Sequence, residues 1–181
     1  MVGEDRPVFG STLAQVCNDM FGDALDFAEL PAPPSPLDLS SGADTIVASI
    51  GLAGQEFRGA LIVHASPAFF ARSYPPSLKR TVVSEAAMID WAGEISNQLL
   101  GRMKNRLCRL GLDFAISTPT VVRGDKLTLS APVVSSVQHA LRIGDARADV
   151  VFHIAHDEGK PLLPATGPVV VASLEGEALL F

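Results

Sequence analysis

The chain has 181 residues, of which 48% are hydrophobic and 19% are charged, and its formal net charge at pH 7 is −6. This length and composition are typical of one folded domain with a substantial core, so we expect a single domain over residues 1–181. The acidic balance argues against a nucleic-acid partner, which would usually require a Lys/Arg-rich face, and favours a protein partner.

Two further features of the sequence narrow the setting. No apolar run approaches the roughly 18 to 20 residues that a membrane-spanning helix needs, and the polar start lacks the apolar stretch of a secretory signal. We therefore expect a cytoplasmic protein with no membrane insertion. Cys17 and Cys108 lack the spacing of a metal knuckle or redox pair and are predicted to be buried free thiols.

In chain order, apolar residues first recur at helical spacing from Ser11 to about Glu29, with Ser11 or Thr12 as the cap. The proline-rich segment 30–36 cannot continue this helix and is predicted to be a connector. Two strands, Thr45–Leu52 and Phe57–His64, then have the spacing of a hairpin. Residues 1–10 are expected to form an N-terminal arm.

The middle of the chain predicts a short helix and then a long one. Ser66 and Pro67 open the short helix, and prolines 75 and 76 end it. The long helix runs from about Val82 to Leu110, with Ser84 as a cap and Gly111 as a left-handed terminator. Short extended runs follow and suggest an antiparallel meander: Phe114–Ile116, Val121–Val122, Leu127–Val134, His139–Ile143 and Ala148–Ile154. Residues 156–181 are either an edge strand or a docking tail.

The long helix carries a polar stripe. Asp90, Glu94, Asn97 and Gly101 are separated by four, three and four residues, which keeps them on one side of a helix with 3.6 residues per turn. The opposite side is apolar and is expected to face the sheet; it comprises Ala92, Ile95, Leu99, Met103 and Leu110. Glu94 and Asn97 should therefore point outward. Spacing alone does not establish a site, because an ordinary solvated helix face explains the same residues.

The segment from Asp90 through Gly124 adds a resemblance that spacing alone does not provide. Its Asp90, Glu94 and Asn97, followed by Pro119, resemble the motif of the CheC/CheX/FliY family of chemotaxis phosphatases. The hairpin with Gly51 and Gly59 also resembles the family's first strand pair, so the likeness covers roughly residues 10 to 155. It implies an α+β fold in which two long helices and a short helix cover an antiparallel sheet with pseudo-symmetry.

The resemblance also implies a function in two-component signalling. Glu94 and Asn97 are expected to enter the active site of a phosphorylated CheY-like receiver domain, where the acid pairs with a receiver lysine and the amide positions a water. Asp90, Gly101 and Pro119 are the supporting motif. No cofactor is expected on this chain, because the receiver brings its own Mg²⁺. A non-catalytic adaptor that binds a receiver or a flagellar switch component is the alternative.

CheC- and FliY-type relatives carry the motif on two helices, whereas CheX-like members carry it on one. Here the first helix offers Gln15, Asn18 and Gly22 at the corresponding spacing, with glutamine in place of the acid. We therefore expect one site and read Asn18 as a bystander. Relatives of the CheX type dimerise through edge strands, and the apolar tail 169–181 could form a dimer contact or pack on its own sheet.

The remaining candidates are structural by this reading. His153 and His156 are three apart in a strand and should face opposite sides, which disfavours a metal site. His64 and His139 lack acidic or thiol neighbours in sequence. Trp91 suits the core or a partner interface equally. The cations Arg102, Lys104, Arg106 and Arg109 around Asn105 are explained by the dipole at the end of the helix.

Overall fold

The computed structural model describes residues 6–22, 26–30, 37–39, 44–78, 82–129 and 135–156. The helices are α1 (Arg6–Phe21), α2 (Pro67–Ser73) and α3 (Glu85–Arg109). The strands are β1 (Asp26–Leu30), β2 (Leu37–Leu39), β3 (Thr45–Ala53), β4 (Phe57–Ala65), β5 (Ala115–Ile116), β6 (Thr120–Gly124), β7 (Leu127–Leu129), β8 (Ser135–Ile143) and β9 (Ala146–His156). The predicted α+β class, with two long helices and a short one on an antiparallel sheet, is confirmed.

Seven strands form the main sheet in the order β1-β8-β9-β4-β3-β5, and β6 also pairs with β3 on the same edge as β5. Every pairing is antiparallel. The predicted meander after α3 is wrong: β5 and β6 return to β3, β7 pairs with β2, and the β8–β9 hairpin joins β4. A hairpin turn fixes only the pairing of the two strands that it connects. Tertiary packing therefore determined which other strand of the sheet each later strand joined.

The core lies between one face of the sheet and the helices. Alternate residues of β3, such as Ile46, Ala48 and Ile50, are fully buried against the helices, as the period of a strand requires. The other face has a smaller cluster of Val47, Ile62 and Val151 with Leu127 and Leu129 of β7 packed against it.

The first helix differs from the prediction at both ends. It begins at Arg6, so Ser11 is not its cap: the Ser11 hydroxyl donates to the Val8 carbonyl one turn earlier. Pro7 in the first turn explains the early start, because proline is pre-set for that position. The helix ends at Phe21, since Gly22 has a left-handed φ of 60°, and residues 26–29, predicted helical, form β1 together with Leu30 instead. Residues 6–10 therefore belong to α1 and not to an arm.

Candidate functional site

Helix α3 carries the candidate residues along one continuous helix. The Ser84 side chain accepts from the Ala87 amide, and Gly111 has a φ of 89°, so both predicted ends are confirmed to within three residues. Ala92, Ile95, Leu99 and Met103 are fully buried as predicted. The prediction that Leu110 faces the sheet is wrong. Leu110 is 44% exposed because it lies past the last helical residue, and Leu107 takes the buried position.

Asp90, Glu94 and Asn97 are exposed on the opposite side of α3. The Gln98 amide donates to Glu94 Oε1 one turn away. The Asn97 carboxamide makes no hydrogen bond with any residue that the structure describes, so both its donor and its acceptor face outward. The helix thus presents two carboxylates, one of them held by a neighbour, and one amide without a hydrogen bond to the described residues.

A shallow groove runs along this face of α3. Its volume is about 320 Å³, and one wall comes from the chain after β5. Glu94 and Asn97 both line it, and Pro119 is brought beside them although it is 22 residues beyond Asn97 in sequence. The lining residues are Ile89, Asp90, Gly93, Glu94, Asn97, Pro119 and Val121.

Pro119 reaches α3 because the edge of the sheet bulges. β5 pairs Ile116 with Leu52, and β6 resumes by pairing Thr120 with Ser49, so three residues oppose two. Such a bulge bends the strand and re-aims its side chains. Proline is tolerated there because an edge strand does not require its missing amide. The segment 117–119 is therefore directed toward the helix instead of along the sheet.

Ser117 holds the bulge in place. Its amide donates to the Gly51 carbonyl at 3.0 Å, and its Oγ accepts from the Gly51 amide at 2.9 Å. A Cβ on Gly51 would lie 3.2 Å from that Oγ, so glycine suits this close approach. Sequence reasoning identified neither Ser117 nor the groove, although a proline inside an extended run is the signal that indicates a bulge.

Other contacts fix the start of α3. The Trp91 indole donates to Ser73 Oγ at 3.0 Å and packs edge-on against Tyr74, so Trp91 joins α3 to α2. Arg123 of β6 pairs with Glu85 at 2.6 Å and with Asp44, and this hydrogen bond holds the pKa of Asp44 below its usual value. Trp91 thus anchors the start of α3 to α2, and Arg123 anchors it to β6 on the sheet edge that carries Pro119.

The motif-like positions of α1 are arranged differently. Gln15 Oε1 accepts from Arg106 Nη1 at 2.9 Å, and Arg106 also pairs with Asp19. Asn18 is exposed, and Gly22 terminates the helix, whereas Gly101 lies inside α3 with open space where its Cβ would be. Arg106, assigned above to the helix dipole, is thus a contact between the two helices.

The histidines and cysteines lie elsewhere. His64 Nε2 is 3.9 Å from Asp149, an acidic companion that its sequence neighbours did not reveal, and burial lowers its pKa despite that carboxylate. Burial also lowers the pKa of His153, and it raises the pKa of Cys17 to about 12. Cys108 is only half-buried, against prediction. Across the described ranges, no three His, Cys, Asp or Glu side chains are grouped to hold a metal.

None of the helices in the described part of the chain is sufficiently long and apolar to cross a membrane. Residues 1–5 and 157–181, which include most of the predicted tail, lie outside the described residues.

Solved structures with this fold include several chemotaxis proteins. A CheX from Vibrio vulnificus is 19% identical with a TM-score of 0.65, covering 82% of this chain and 99% of that one. A CheC-like protein from Shewanella oneidensis is 20% identical with a TM-score of 0.64, covering 81% and 95%. The CheX in a CheX–CheY–BeF₃–Mg²⁺ complex from Borrelia burgdorferi is 19% identical with a TM-score of 0.60, covering 81% and 94%.

A comparison with curated protein sequences finds no significant match. The family model described as chemotaxis phosphatase CheX matches residues 46–142, which is more than half of the chain. That range contains the hairpin β3–β4 except Thr45, all of α3 and the bulge with Pro119. The chain therefore belongs to the CheX family of chemotaxis phosphatases.

Proposed function

We propose that this protein removes the phosphoryl group from the phosphoaspartate of a CheY-like receiver domain in chemotaxis or a related two-component pathway. The observation that carries the proposal is the exposed pair Glu94 and Asn97 on one groove of a rigid helix, in a member of the CheX family. One of its structural neighbours is a CheX in complex with CheY, BeF₃ and Mg²⁺.

The hydrolysis reaction requires few catalytic groups from the phosphatase. Water attacks the phosphorus of the acyl phosphate, the bond to the aspartyl oxygen breaks, and the products are a free carboxylate and inorganic phosphate. The receiver contributes Mg²⁺ and its own acidic pocket, so the remaining task is to hold the water in line with the leaving oxygen. An amide suits this task, because it accepts from the water and donates to a phosphoryl oxygen without changing charge.

Glu94 and Asn97 have separate roles in this proposal. Asn97, whose amide is unengaged by the described residues, enters the receiver and orients the water. Glu94 pairs with a receiver lysine and fixes the complex. Asp90 and Pro119 line the same groove and shape the contact, and Gly101 leaves room one turn beyond Asn97. A cytoplasmic location belongs to this proposal, because receivers are phosphorylated there.

Phosphate loss from a phosphorylated receiver is the direct test. Each receiver domain of the source genome is phosphorylated, and the decay of its phosphoryl group is timed with and without the protein. We expect catalytic amounts of the protein to accelerate decay for at least one receiver. An adaptor would bind the receiver and leave its decay rate unchanged, and that result would reject the enzymatic function.

A further inference from the structure

Lys104 continues the polar side of α3 beyond the groove. It follows Asn97 by seven residues, which is close to two helical turns. Its side chain therefore leaves the helix within about 20° of the direction of Asn97 and about 10 Å farther along the axis. Gly101 lies between the two residues, and no atom stands within 4 Å of the position where its Cβ would be. A partner that contacts Asn97 can thus extend to Lys104 without meeting a side chain at Gly101.

The Lys104 ammonium lies on the groove side of the helix. Its nitrogen is 5.9 Å from the centre of the Phe114 ring, within the range of a cation–π contact. From Phe114 the chain returns along α3 to the groove wall, where Pro119 Cγ lies 3.7 Å from the Cβ position of Gly93. The groove and the Lys104 contact therefore lie along the same junction between α3 and the chain that follows it.

The charge of Lys104 is available to a partner. Among the residues that the structure describes, its ammonium makes no ion pair, whereas Arg106 on the same helix pairs with a carboxylate of α1. A lysine can rest its apolar stem on a ring while its ammonium stays in water. The exposed side of α3 thus carries opposite charges on the two sides of Asn97, with Asp90 and Glu94 before it and Lys104 after it.

We propose that Lys104 is a positioning residue that pairs with a surface carboxylate of the receiver domain and fixes the orientation in which the receiver docks on α3. The inference rests on the proposed function, because Asn97 marks the position of the receiver's reaction centre. One ion pair between Glu94 and a receiver lysine leaves the receiver free to turn about that contact. A second pair of opposite polarity, about 10 Å beyond Asn97 along the helix, removes that freedom and disfavours receivers with a cation there.

The test compares Lys104→Met with Arg102→Met. Methionine retains an unbranched apolar side chain, and each variant removes one positive charge from a chain whose net charge is −6. Arg102 is exposed on the same helix, about 160° around the axis from Lys104, so it controls for the change in net charge. Lys104→Arg keeps the charge and serves as the conservative variant.

Turnover of the phosphorylated receiver gives KM and kcat, and binding of the BeF₃–Mg²⁺-treated receiver gives Kd. We expect Lys104→Met to raise KM and Kd about fivefold at low salt, the upper end of the effect of a solvent-exposed ion pair. The difference should shrink at 1 M salt, where the screening length is about 3 Å. The value of kcat should be nearly unchanged, since Lys104 does not reach the phosphoryl group. Arg102→Met and Lys104→Arg should both bind and turn over the receiver as the unmodified protein does.

Unfolding in urea separates a lost charge from a damaged fold. Lys104→Met should unfold at nearly the same urea concentration as the unmodified protein, because its side chain still covers the Phe114 ring. Weaker binding that accompanies a lower urea midpoint in both Lys104 variants would overturn the proposal, since it would mark Lys104 as a structural residue. Equal effects of Lys104→Met and Arg102→Met would also overturn it, because net charge alone would then explain the change.

The remaining outcomes separate this proposal from the phosphatase function. Unchanged KM and Kd in Lys104→Met would overturn the role of Lys104 and leave the phosphatase function standing. A change in the light-scattering mass of Lys104→Met, with receiver binding intact, would assign Lys104 to a contact between copies of this chain and overturn its receiver role. Weaker receiver binding by Lys104→Met, with no turnover even by the unmodified protein, would reject the phosphatase and retain the docking role. Neither turnover nor binding by the unmodified protein would reject both.

Discussion

Helices α1 and α3 carry polar residues at the same spacing in different surroundings. In α3, Glu94 and Asn97 are exposed along a groove whose far wall is Pro119. In α1, the position of the acid is Gln15, whose side chain accepts from Arg106 of α3. The spacing that suggested an active motif is thus present twice. On α3 it coincides with a carboxylate and a groove wall, whereas on α1 Gln15 stands in place of the acid.

The two helices differ in the element that lies opposite their polar residues. On α3, the bulge at residues 117–119 directs a second element toward the helix. On α1, the neighbouring element is α3 itself, and Arg106 joins Gln15 to Asp19. One helix leaves its polar face exposed along a groove, and the other uses part of that face inside the molecule.

The largest expected effect comes from Asn97. Asn97→Ala should reduce the acceleration of phosphate loss by about 10²- to 10³-fold, the usual cost of removing one positioned hydrogen-bonding group from a reaction centre. Asn18→Ala is the matched control, since it removes the same exposed side chain from the other helix. It should leave kcat and KM unchanged. Equal losses in both variants, or none in Asn97→Ala, would contradict the single-site assignment.

Substitution of Glu94 should have a smaller effect, which falls on binding of the receiver. Glu94→Gln should raise KM about tenfold and change kcat less, because a neutral amide cannot pair with a receiver lysine. The reciprocal change, Gln15→Glu in an Asn97→Ala background, should restore no activity, since Arg106 is already beside that position. Recovery of turnover in the double variant would mean that α1 retains a working site.

Patterns within one element were predictable from the sequence, and contacts between distant elements were not. Helical periodicity placed Ile95 and Leu99 inside and Glu94 and Asn97 outside. The bulge at Ser117 and the pairing of Arg106 with α1 depend on residues that are 66 and 91 positions apart, for which sequence spacing holds no signal. The early end of α1 was readable from Gly22, but the apolar residues beyond it continued a helical spacing.

Alanine substitutions test whether Gly22 and Gly101 have the same structural role. Gly101→Ala should raise the free energy of unfolding by about 1 kcal/mol, because it replaces glycine inside a helix with open space around the new Cβ. Gly22→Ala should lower it by about 1 kcal/mol, because its φ of 60° is strained for alanine. Urea unfolding measures both. Shifts in the same direction would show that the two glycines share one structural role.

The contact between the helices should have the smallest effect. Arg106→Ala removes the hydrogen bond to Gln15 and the pair with Asp19, and both charged side chains are partly exposed, at 28% and 46%. Such a pair is worth about 0.5 kcal/mol, because solvent screens it. Urea unfolding should show a loss of that size, reduced in high salt, with KM for the receiver unchanged.

Arg102→Ala is the control for this last variant, because Arg102 is an exposed arginine on the same helix with no ion pair among the described residues. It should leave the urea midpoint unchanged in low and high salt alike. A loss of receiver turnover in Arg106→Ala with normal stability would place the α1 face in the partner interface. The assignment of the α3 groove to the partner and of the Arg106 contacts to the fold would then be wrong, because Arg106 would contribute to both.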